Sequence, residues 1–359
     1  MNNKIRSLFP VLNSCTYLNT AYTGPLSTKL FEFRNKLEKD HLIKGDVFKI
    51  DSQERINDFR ETISKFINSS KENTFFTLNF STGYRYILDL LPEHSKILAL
   101  ENDYNSLLEG LKEREFSVDY IPITSDFETK IENQLYKNEY NVLALSVVQF
   151  LSGIKVDFNA LRKIKNKFPK LIIIGDSTQF MGSDIFNFNN SPFDVIIGSG
   201  YKWMLAGFGN AYMTVSNNFL NQTKSTSQKL YDKVYAGHIN FLGAASLDFA
   251  IKFLQKNDFI NLVRQKKDLG FFLGDELKKM NLLDPEVEKR NDHSSIYTII
   301  GDHILHDELQ KKGIRCSLRG NGVRVAVHFY NEESEINKLI RALKSIGFTK
   351  KSKSIGLRS

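Results

Sequence analysis

Short apolar runs and amphipathic runs alternate between residues 75 and 216, and this alternation constrains the fold most. Amphipathic runs with a period near 3.6 predict helices at 82–91, 106–115, 126–136 and 157–168. The apolar runs predict strands at FFTLN (75–79), KILALE (96–101), VDYIPI (118–123), NVLALSVV (141–148), LIIIGD (171–176), DVIIGS (194–199) and NAYMTVS (210–216). Continuous apolar strands separated by helices predict an α/β fold, with a mainly parallel central sheet and helices on both faces.

The pattern changes near residue 241. The remaining runs predict helices at 242–254 and 259–280, a strand at 294–300, a helix at 303–312, strands at 314–318 and 323–329, and a last helix at 332–346. We interpret 19–240 as a large domain. Residues 1–18 and 241–359 would form a smaller α+β domain, with a disordered tail from about 349.

Length and composition are compatible with an ordinary soluble globular protein, including an enzyme. The 359 residues are 41% hydrophobic with only 7 prolines, which allows a sizeable core and excludes a disordered or fibrous chain. No apolar run approaches the roughly 18 residues of a membrane span, and MNNKIRSLFPVLNSC lacks a signal sequence, so we expect a cytoplasmic protein with no membrane partner. The two cysteines, Cys15 and Cys316, predict free thiols and no metal site.

The net charge of +8 does not indicate a nucleic-acid partner. Four basic residues fall in the acid-free tail: Lys350, Lys351, Lys353 and Arg358. Other basic residues lie along amphipathic runs such as LRKIKNKF (161–168), which are typical of solvated helix faces rather than of a stripe that follows phosphates.

A lysine lies just beyond one of the predicted strands. Lys202 occurs in GSGYKWMLAGFG (198–209), and Asp176 ends the earlier strand LIIIGD. Ligands of such sheets bind outside the carboxyl ends of the strands, where Asp176 and Ser199 both lie. An amine for a Schiff base and an anion that keeps a pyridine nitrogen protonated are what a pyridoxal phosphate enzyme needs. The alternatives are a surface lysine and, for Asp176, a helix N-cap.

A phosphate group needs hydroxyls and free N–H groups at the start of a helix. Ser81 and Thr82 open the helix that follows FFTLN and fit this role. Simple capping by these hydroxyls is the alternative.

Several motifs together carry a family resemblance. They occur in the family's order over nearly the whole chain: YLNTAYTGPLS (17–27), NFSTGYRYIL (79–88), VVQFLSGIKVD (147–157), DSTQ (176–179), SGYKW (199–203) and GIRCSLRGNGVRVAVHFYNEESEI (313–336). The chain resembles the class V aminotransferase superfamily of fold type I pyridoxal phosphate enzymes. It is most similar to the branch with isopenicillin N epimerase-like proteins, kynureninases and selenocysteine lyase/cysteine desulfurase-like enzymes.

The resemblance implies further cofactor ligands. Gln179 would hydrogen-bond the phenolic oxygen, although a plain turn residue is the alternative. Ser199 and Tyr201 would bind the phosphate. Phe150 would stack on the pyridine ring, and a core position is the alternative for it.

The resemblance also implies how a substrate and a partner subunit bind. Arg324 would hold the substrate α-carboxylate through two parallel hydrogen bonds, with Asn19 beside it. A homodimer is expected, in which Gly237-His238 replaces the family's glycine-threonine pair that reaches the neighbouring subunit's phosphate. Asn240 would take part of that role.

The reaction type is left open by the sequence. Transamination is our first interpretation, because Cys316 lies in a predicted strand and a buried strand cysteine is usually inert. A kynureninase-like or selenocysteine/cysteine lyase-like cleavage, an epimerase, and a non-catalytic binding or regulatory protein are the alternatives.

Overall fold

The computed structural model describes residues 2–347, so the predicted tail from about 349 lies outside the described residues. The strands are β1 Thr16–Tyr17, β2 Thr74–Thr77, β3 Lys96–Leu100, β4 Ser117–Ile121, β5 Val142–Ser146, β6 Ile172–Asp176, β7 Val195–Ser199, β8 Ala211–Val215, β9 Ile296–Ile300, β10 Ile314–Arg315, β11 Ser317–Arg319 and β12 Gly322–Ala326. The helices are α1 Asn2–Arg6, α2 Thr28–Lys44, α3 Asp46–Glu54, α4 Ile56–Ile67, α5 Phe80–Leu88, α6 Asn105–Lys112, α7 Phe127–Lys137, α8 Phe158–Lys167, α9 Asn217–Gln222, α10 Ser227–Val234, α11 Phe241–Lys256, α12 Phe259–Lys279, α13 Pro285–Glu288, α14 His303–Lys311 and α15 Glu333–Ser345, with a 3-10 turn at Pro10–Asn13.

Seven strands form the central sheet in the order β2-β8-β7-β6-β5-β3-β4. Strand β8 is antiparallel to both neighbours, and the other pairs are parallel. The predicted α/β fold with a mainly parallel sheet is therefore confirmed.

The sheet is covered on both faces. Every residue of β5, β6, β7 and β8 is buried. Alternate residues belong to different cores: Leu143 and Ile173 pack on one face, whereas Val142 and Ile172 pack on the other. This alternation follows from the period of two along a strand, and it explains why these strands appear in the sequence as continuous apolar runs.

The C-terminal part forms a three-stranded antiparallel sheet in the order β11-β12-β9. The N-terminal segment joins it, because β1 pairs in parallel with β10 and the Ala326 N–H donates to the Leu18 carbonyl at 2.9 Å. No helix between residues 2 and 347 has the length and apolarity that a membrane crossing requires.

Candidate active site

Lys202 lies in the turn that follows β7 and is only 8% exposed. Its Nζ lies 5.5 Å from the ring centroid of Tyr201 and 5.9 Å from that of Tyr104. Within residues 2–347 this nitrogen makes no hydrogen bond or ion pair. Burial and the charge of Arg324 lower the Lys202 pKa to about 7, although Asp176 opposes the shift. A neutral, unpaired amine near physiological pH is a competent nucleophile, which a surface lysine is not.

Asp176 ends β6 and is buried. Its Oδ1 accepts the Thr178 N–H at 2.8 Å. Burial raises the Asp176 pKa to about 6, while Thr178 and Lys202 act against the shift. No helix begins after Asp176, so the N-cap alternative does not apply. Among the described residues the carboxylate makes no ion pair, which leaves it available to a cationic group of a ligand.

The start of α5 lies beside the end of β7. The Phe80 N–H donates to Ser199 Oγ at 3.0 Å, and the Thr82 N–H donates to Asn79 Oδ1 at 2.8 Å. The cap of α5 is therefore Asn79 rather than the predicted Ser81 or Thr82. The N–H of Ser81 has no acceptor among the described residues. A free N–H, the Thr82 hydroxyl and the Ser199 hydroxyl at a helix N-terminus suit an anion.

Gln179 is fixed by two contacts. Its Nε2 donates to the Ala21 carbonyl and its Oε1 accepts from the Trp203 indole N–H, each at 2.8 Å. These bonds tie the segment after β6 to the residue next to Lys202, so Gln179 is a structural link at this end of the sheet. Its remaining N–H can still bind a ligand.

Arg324 is buried in the middle of β12. Its Nη1 donates to the Phe150 carbonyl at 2.7 Å, and its Nε is buried without a partner. Burial, together with the charge of Arg319, lowers its pKa to about 10. A buried guanidinium without an anion is unfavourable, so the unpartnered Nε of Arg324 is available to a carboxylate.

Three other predicted residues lie around this centre. Tyr201 is partly buried, and burial raises the pKa of its phenol to about 12, so it remains a hydrogen-bond donor. Phe150 makes an edge contact with Tyr104, with ring centroids 5.8 Å apart. Asn19 bridges to Ala326 and accepts a hydrogen bond from the Ser317 hydroxyl.

The loop before α11 forms no hydrogen bond or ring contact with Lys202, Asp176 or Arg324 in the described part of one chain. His238 is exposed and lines a surface groove with His41 and Phe48. Asn240 caps α11 through the Gly243 N–H and donates to the Gly209 carbonyl at 3.0 Å. The role expected for His238 and Asn240 at the neighbouring subunit's phosphate concerns a second copy of the chain and stays a prediction.

The sequence interpretation missed Asp103 and Tyr104. Both follow β3, and Asp103 binds the Ser146 hydroxyl and N–H at the end of β5, at 2.5 Å and 2.8 Å. Burial raises the Asp103 pKa, and it also raises that of Tyr104, whose ring faces Lys202. The signal that could have identified them is the one used for Asp176, a polar residue just beyond an apolar strand.

The residues present fit pyridoxal phosphate. Its aldehyde matches the unpaired amine, and its ring nitrogen matches the buried carboxylate that has no cation. Its phosphate matches the free N–H and the hydroxyls at the start of a helix. Lys202, Asp176, Ser81, Thr82 and Ser199 would hold these three groups.

Curated relatives with sequence similarity include two cysteine desulfurases. Cysteine desulfurase SufS of Plasmodium falciparum is 25% identical over 267 residues, which span 66% of this chain but 47% of that relative, about half its length. A probable cysteine desulfurase of Borreliella burgdorferi is 23% identical over 95% of both chains.

Solved structures share the fold. The cystine C-S lyase C-DES, in complex with cysteine persulfide, superposes with a TM-score of 0.84 at 16% identity, over 93% of this chain and 98% of its own. The Escherichia coli cysteine desulfurase CsdA superposes with a TM-score of 0.80 at 15% identity, over 97% and 99%. A family model described as aminotransferase class-V matches residues 44–342. The chain therefore belongs to the class-V aminotransferase family.

Proposed function

We propose that this protein is a pyridoxal phosphate-dependent aminotransferase that acts on an α-amino acid. The observation that carries the proposal is that Asp176 and Arg324, both buried and without an ion pair among the described residues, interact electrostatically with the buried, unpaired Lys202. A purely structural protein gains nothing from such a set, because each group is unfavourable to bury alone.

Each residue has a separate role. Lys202 attaches the cofactor and afterwards moves a proton at the substrate α-carbon, which its lowered pKa allows at neutral pH. Arg324 binds the α-carboxylate and orients the α-carbon toward Lys202. The Asp176 carboxylate keeps the ring nitrogen protonated. When bound, the cofactor supplies an electron sink for a bond that breaks at the α-carbon.

The thiols favour transamination over desulfuration through an enzyme-bound persulfide. Cys316 is 4% exposed, and burial raises its pKa to about 12, which suppresses the nucleophilic thiolate. The Cys15 thiol donates to the Val11 carbonyl at 3.4 Å in the N-terminal turn. Neither thiol contacts Lys202 or Arg324.

Cleavage of a carbon–sulfur bond is the second candidate. The similarity to cysteine desulfurases and to a cystine C-S lyase favours it, and a lyase that releases its sulfur product into solution needs no thiol of its own.

We further propose a homodimer, because α2 and α3 expose several apolar side chains that a second copy would cover: Phe31, Leu42, Ile43, Val47 and Ile50. Two free thiols support the cytoplasm as its compartment.

The experiment is reconstitution followed by product analysis. Protein incubated with pyridoxal phosphate should gain a visible absorbance band, and borohydride should fix the cofactor to Lys202, as mapped by mass spectrometry. Lys202→Ala should lose turnover by roughly 10²–10⁴-fold. The control Lys233→Ala, at an exposed ion pair with Asp89, should behave as the native protein.

Product analysis separates the candidates. Across an amino-acid panel, keto acid together with pyridoxamine phosphate would support transamination. Release of sulfur or alanine would support a lyase, and racemised substrate an epimerase. A protein that stays colourless and binds no cofactor would contradict the enzyme proposal altogether.

A further inference from the structure

The hairpin of β11 and β12 presents two arginines on one face. Ser317 pairs directly with Arg324, and Arg319 lies two positions beyond Ser317 on the same strand. Because side chains alternate along a strand, Arg319 shares the face of Ser317 and Arg324. Diagonal neighbours of this kind have backbones about 7–8 Å apart. The hairpin therefore directs a second guanidinium toward the substrate side.

The Arg319 guanidinium is held in place but is not neutralised. It lies over the Tyr22 ring, 4.9 Å from the centroid. Its Nη1 donates only to the adjacent Leu318 carbonyl, at 3.0 Å. In the described part of the chain it forms no ion pair, and it is partly exposed to solvent at the rim of the site.

Arg319 acts electrostatically on the centre. Its positive charge lowers the pKa of both Lys202 and Arg324, so it lies within Coulomb range of each. Tyr22, on which it stacks, interacts in turn with Tyr201 beside Lys202. Arg319 at the rim and the buried Arg324 therefore both influence the charge state of Lys202.

The charges at this end of the sheet do not balance. Arg319 and Arg324 both carry a positive charge and form no ion pair among the described residues, whereas Asp176 interacts with Lys202. One α-carboxylate neutralises Arg324 and leaves Arg319 without an anion. A second negative group on the substrate would provide the anion that Arg319 lacks.

We propose that Arg319 is a specificity-determining residue that binds a second anionic group at the end of the substrate side chain. The substrate class is then amino acids with an acidic side chain. The proposal rests on the aminotransferase function above, because it assigns the α-carboxylate to Arg324. The exposed position and the aromatic support of Arg319 suit a group that arrives with the substrate.

The test compares monoanions and dianions on the cofactor-loaded protein. Succinate and glutarate should bind at least tenfold more tightly than butyrate, as measured by calorimetry. L-aspartate and L-glutamate should be turned over with a higher kcat/KM than L-asparagine and L-glutamine. Arg319→Gln should weaken dicarboxylate binding by roughly 10- to 100-fold and leave butyrate unchanged, while Arg319→Lys should restore part of the loss.

A matched control is available four residues earlier. Arg315 is exposed on β10 and donates to Gln310 Oε1 at 3.0 Å. Arg315→Gln removes one surface charge from the same segment, so it should leave both affinities unchanged. An equal loss of monoanion and dianion binding in Arg319→Gln would mean that both arginines clamp one carboxylate, and would overturn the proposal. So would a native protein with no preference for dianions.

These outcomes are distinct from failure of the proposed function. Attachment of the cofactor to Lys202 is measured without substrate. If the protein attaches the cofactor but shows no preference for dianions, only the role proposed for Arg319 is wrong. If the protein cannot attach the cofactor, the proposed function itself is wrong.

Discussion

Lys202 combines two properties that usually exclude each other, deep burial and an unpaired amine. Burial and the charge of Arg324 lower its pKa to about 7. Below that pH the amine is protonated and unreactive, and above it the amine is free to attack an aldehyde. Attachment of pyridoxal phosphate to the apoprotein should therefore accelerate as pH rises toward about 7 and level off above it, whereas an exposed lysine needs pH values near its ordinary pKa of about 10.4. Absorbance followed by stopped flow across a pH series measures this profile.

Arg324→Gln tests the cause of that shift. Removal of the guanidinium should move the midpoint of the profile upward, because a neighbouring positive charge disfavours the protonated amine. Arg315→Gln, which changes the same net charge away from the site, should leave the midpoint in place. A native midpoint near that of an ordinary lysine would disprove the account.

Some site residues could be predicted from the sequence around them and others could not. Lys202, Asp176 and Arg324 are charged residues within apolar strands or turns, and this contrast is evident in the sequence itself. Tyr104 follows β3 in the polar segment ENDYNS, which resembles an ordinary start of a helix. Its position against Lys202 depends on β3 and β7 reaching the same edge of the sheet, which is a property of three-dimensional topology. The roles given to these side chains stay predictions until the experiments above are made.

At the scale of elements, the link between the segment after β1 and the turn after β7 controls the placement of Lys202. The Gly24 N–H donates to the Tyr201 carbonyl at 2.9 Å. A Cβ atom on Gly24 would lie 2.2 Å from the Lys202 carbonyl oxygen, which is backbone and cannot move alone. Gly24→Ala should therefore displace the Lys202 turn and weaken cofactor binding at least tenfold, with little change in helix content. Equilibrium dialysis and far-ultraviolet circular dichroism measure the two quantities.

Thr23→Ala is the matched control for that substitution. It removes atoms from the same segment without placing any against the Lys202 carbonyl, so cofactor affinity should remain within about threefold of native, a change of less than 1 kcal/mol. If Gly24→Ala bound the cofactor as the native protein does, the turn would not depend on this contact.

The sequence predicted some elements and missed others for a physical reason. Strands β2 to β8 and the helices α5 to α8 between them have strong periodicity, because each faces a defined core. Helices α2 to α4 were not predicted. In α2, Leu30 and Leu37 are buried while Phe31, Leu42 and Ile43 are exposed, so the apolar residues do not follow one stripe. Helix α2 therefore gives no clear period. In α4, by contrast, Phe59, Ile63 and Ile67 are buried at helical spacing, and the sequence interpretation overlooked that pattern.

At the scale of the whole molecule, a second buried lysine lies beneath the site. Lys266 on α12 is 3% exposed, and its Nζ lies 5.7 Å from the Trp203 ring without a hydrogen bond or ion pair in residues 2–347. Burial lowers its pKa to about 7, while Asp184 opposes the shift. The unfolded chain then binds more protons than the folded one between about pH 7 and 10.5, so the destabilisation by this lysine is full at and below about pH 7 and decreases as pH rises.

Lys266→Met should raise the free energy of unfolding at pH 7 by about 1–3 kcal/mol, and the gain should shrink toward pH 10. Urea denaturation at both pH values measures it. Lys267→Met is the control, because Lys267 pairs with Asp184 at 2.7 Å and its loss should bring no gain. A destabilised Lys266→Met protein at pH 7 would show that the buried ammonium makes favourable contacts.

Family, fold and dependence on pyridoxal phosphate are properties of the whole chain, and the sequence predictions of all three are confirmed. They were predictable because the motifs recur in order over most of the length. The reaction and the substrate were not, because the groups that activate the α-carbon are common to every reaction of this cofactor. The role proposed for Arg319 was likewise not predicted, because its place on the face of Arg324 depends on the pairing of β11 with β12.

The pairing of β1 with β10 has a consequence for the order in which the protein can be made. Leu18 hydrogen-bonds Arg315 and Ala326, and the segment that follows it holds Gln179 through Ala21 and the Tyr201 carbonyl through Gly24. On the ribosome, the large sheet can form once β8 has emerged, but Leu18 lacks its partners Arg315 and Ala326 until about a hundred further residues have been translated. The nascent chain therefore carries the segment after β1 without its C-terminal hydrogen bonds. The segment that contacts Gln179 and the Lys202 turn is anchored through Leu18 only after β12 has been translated.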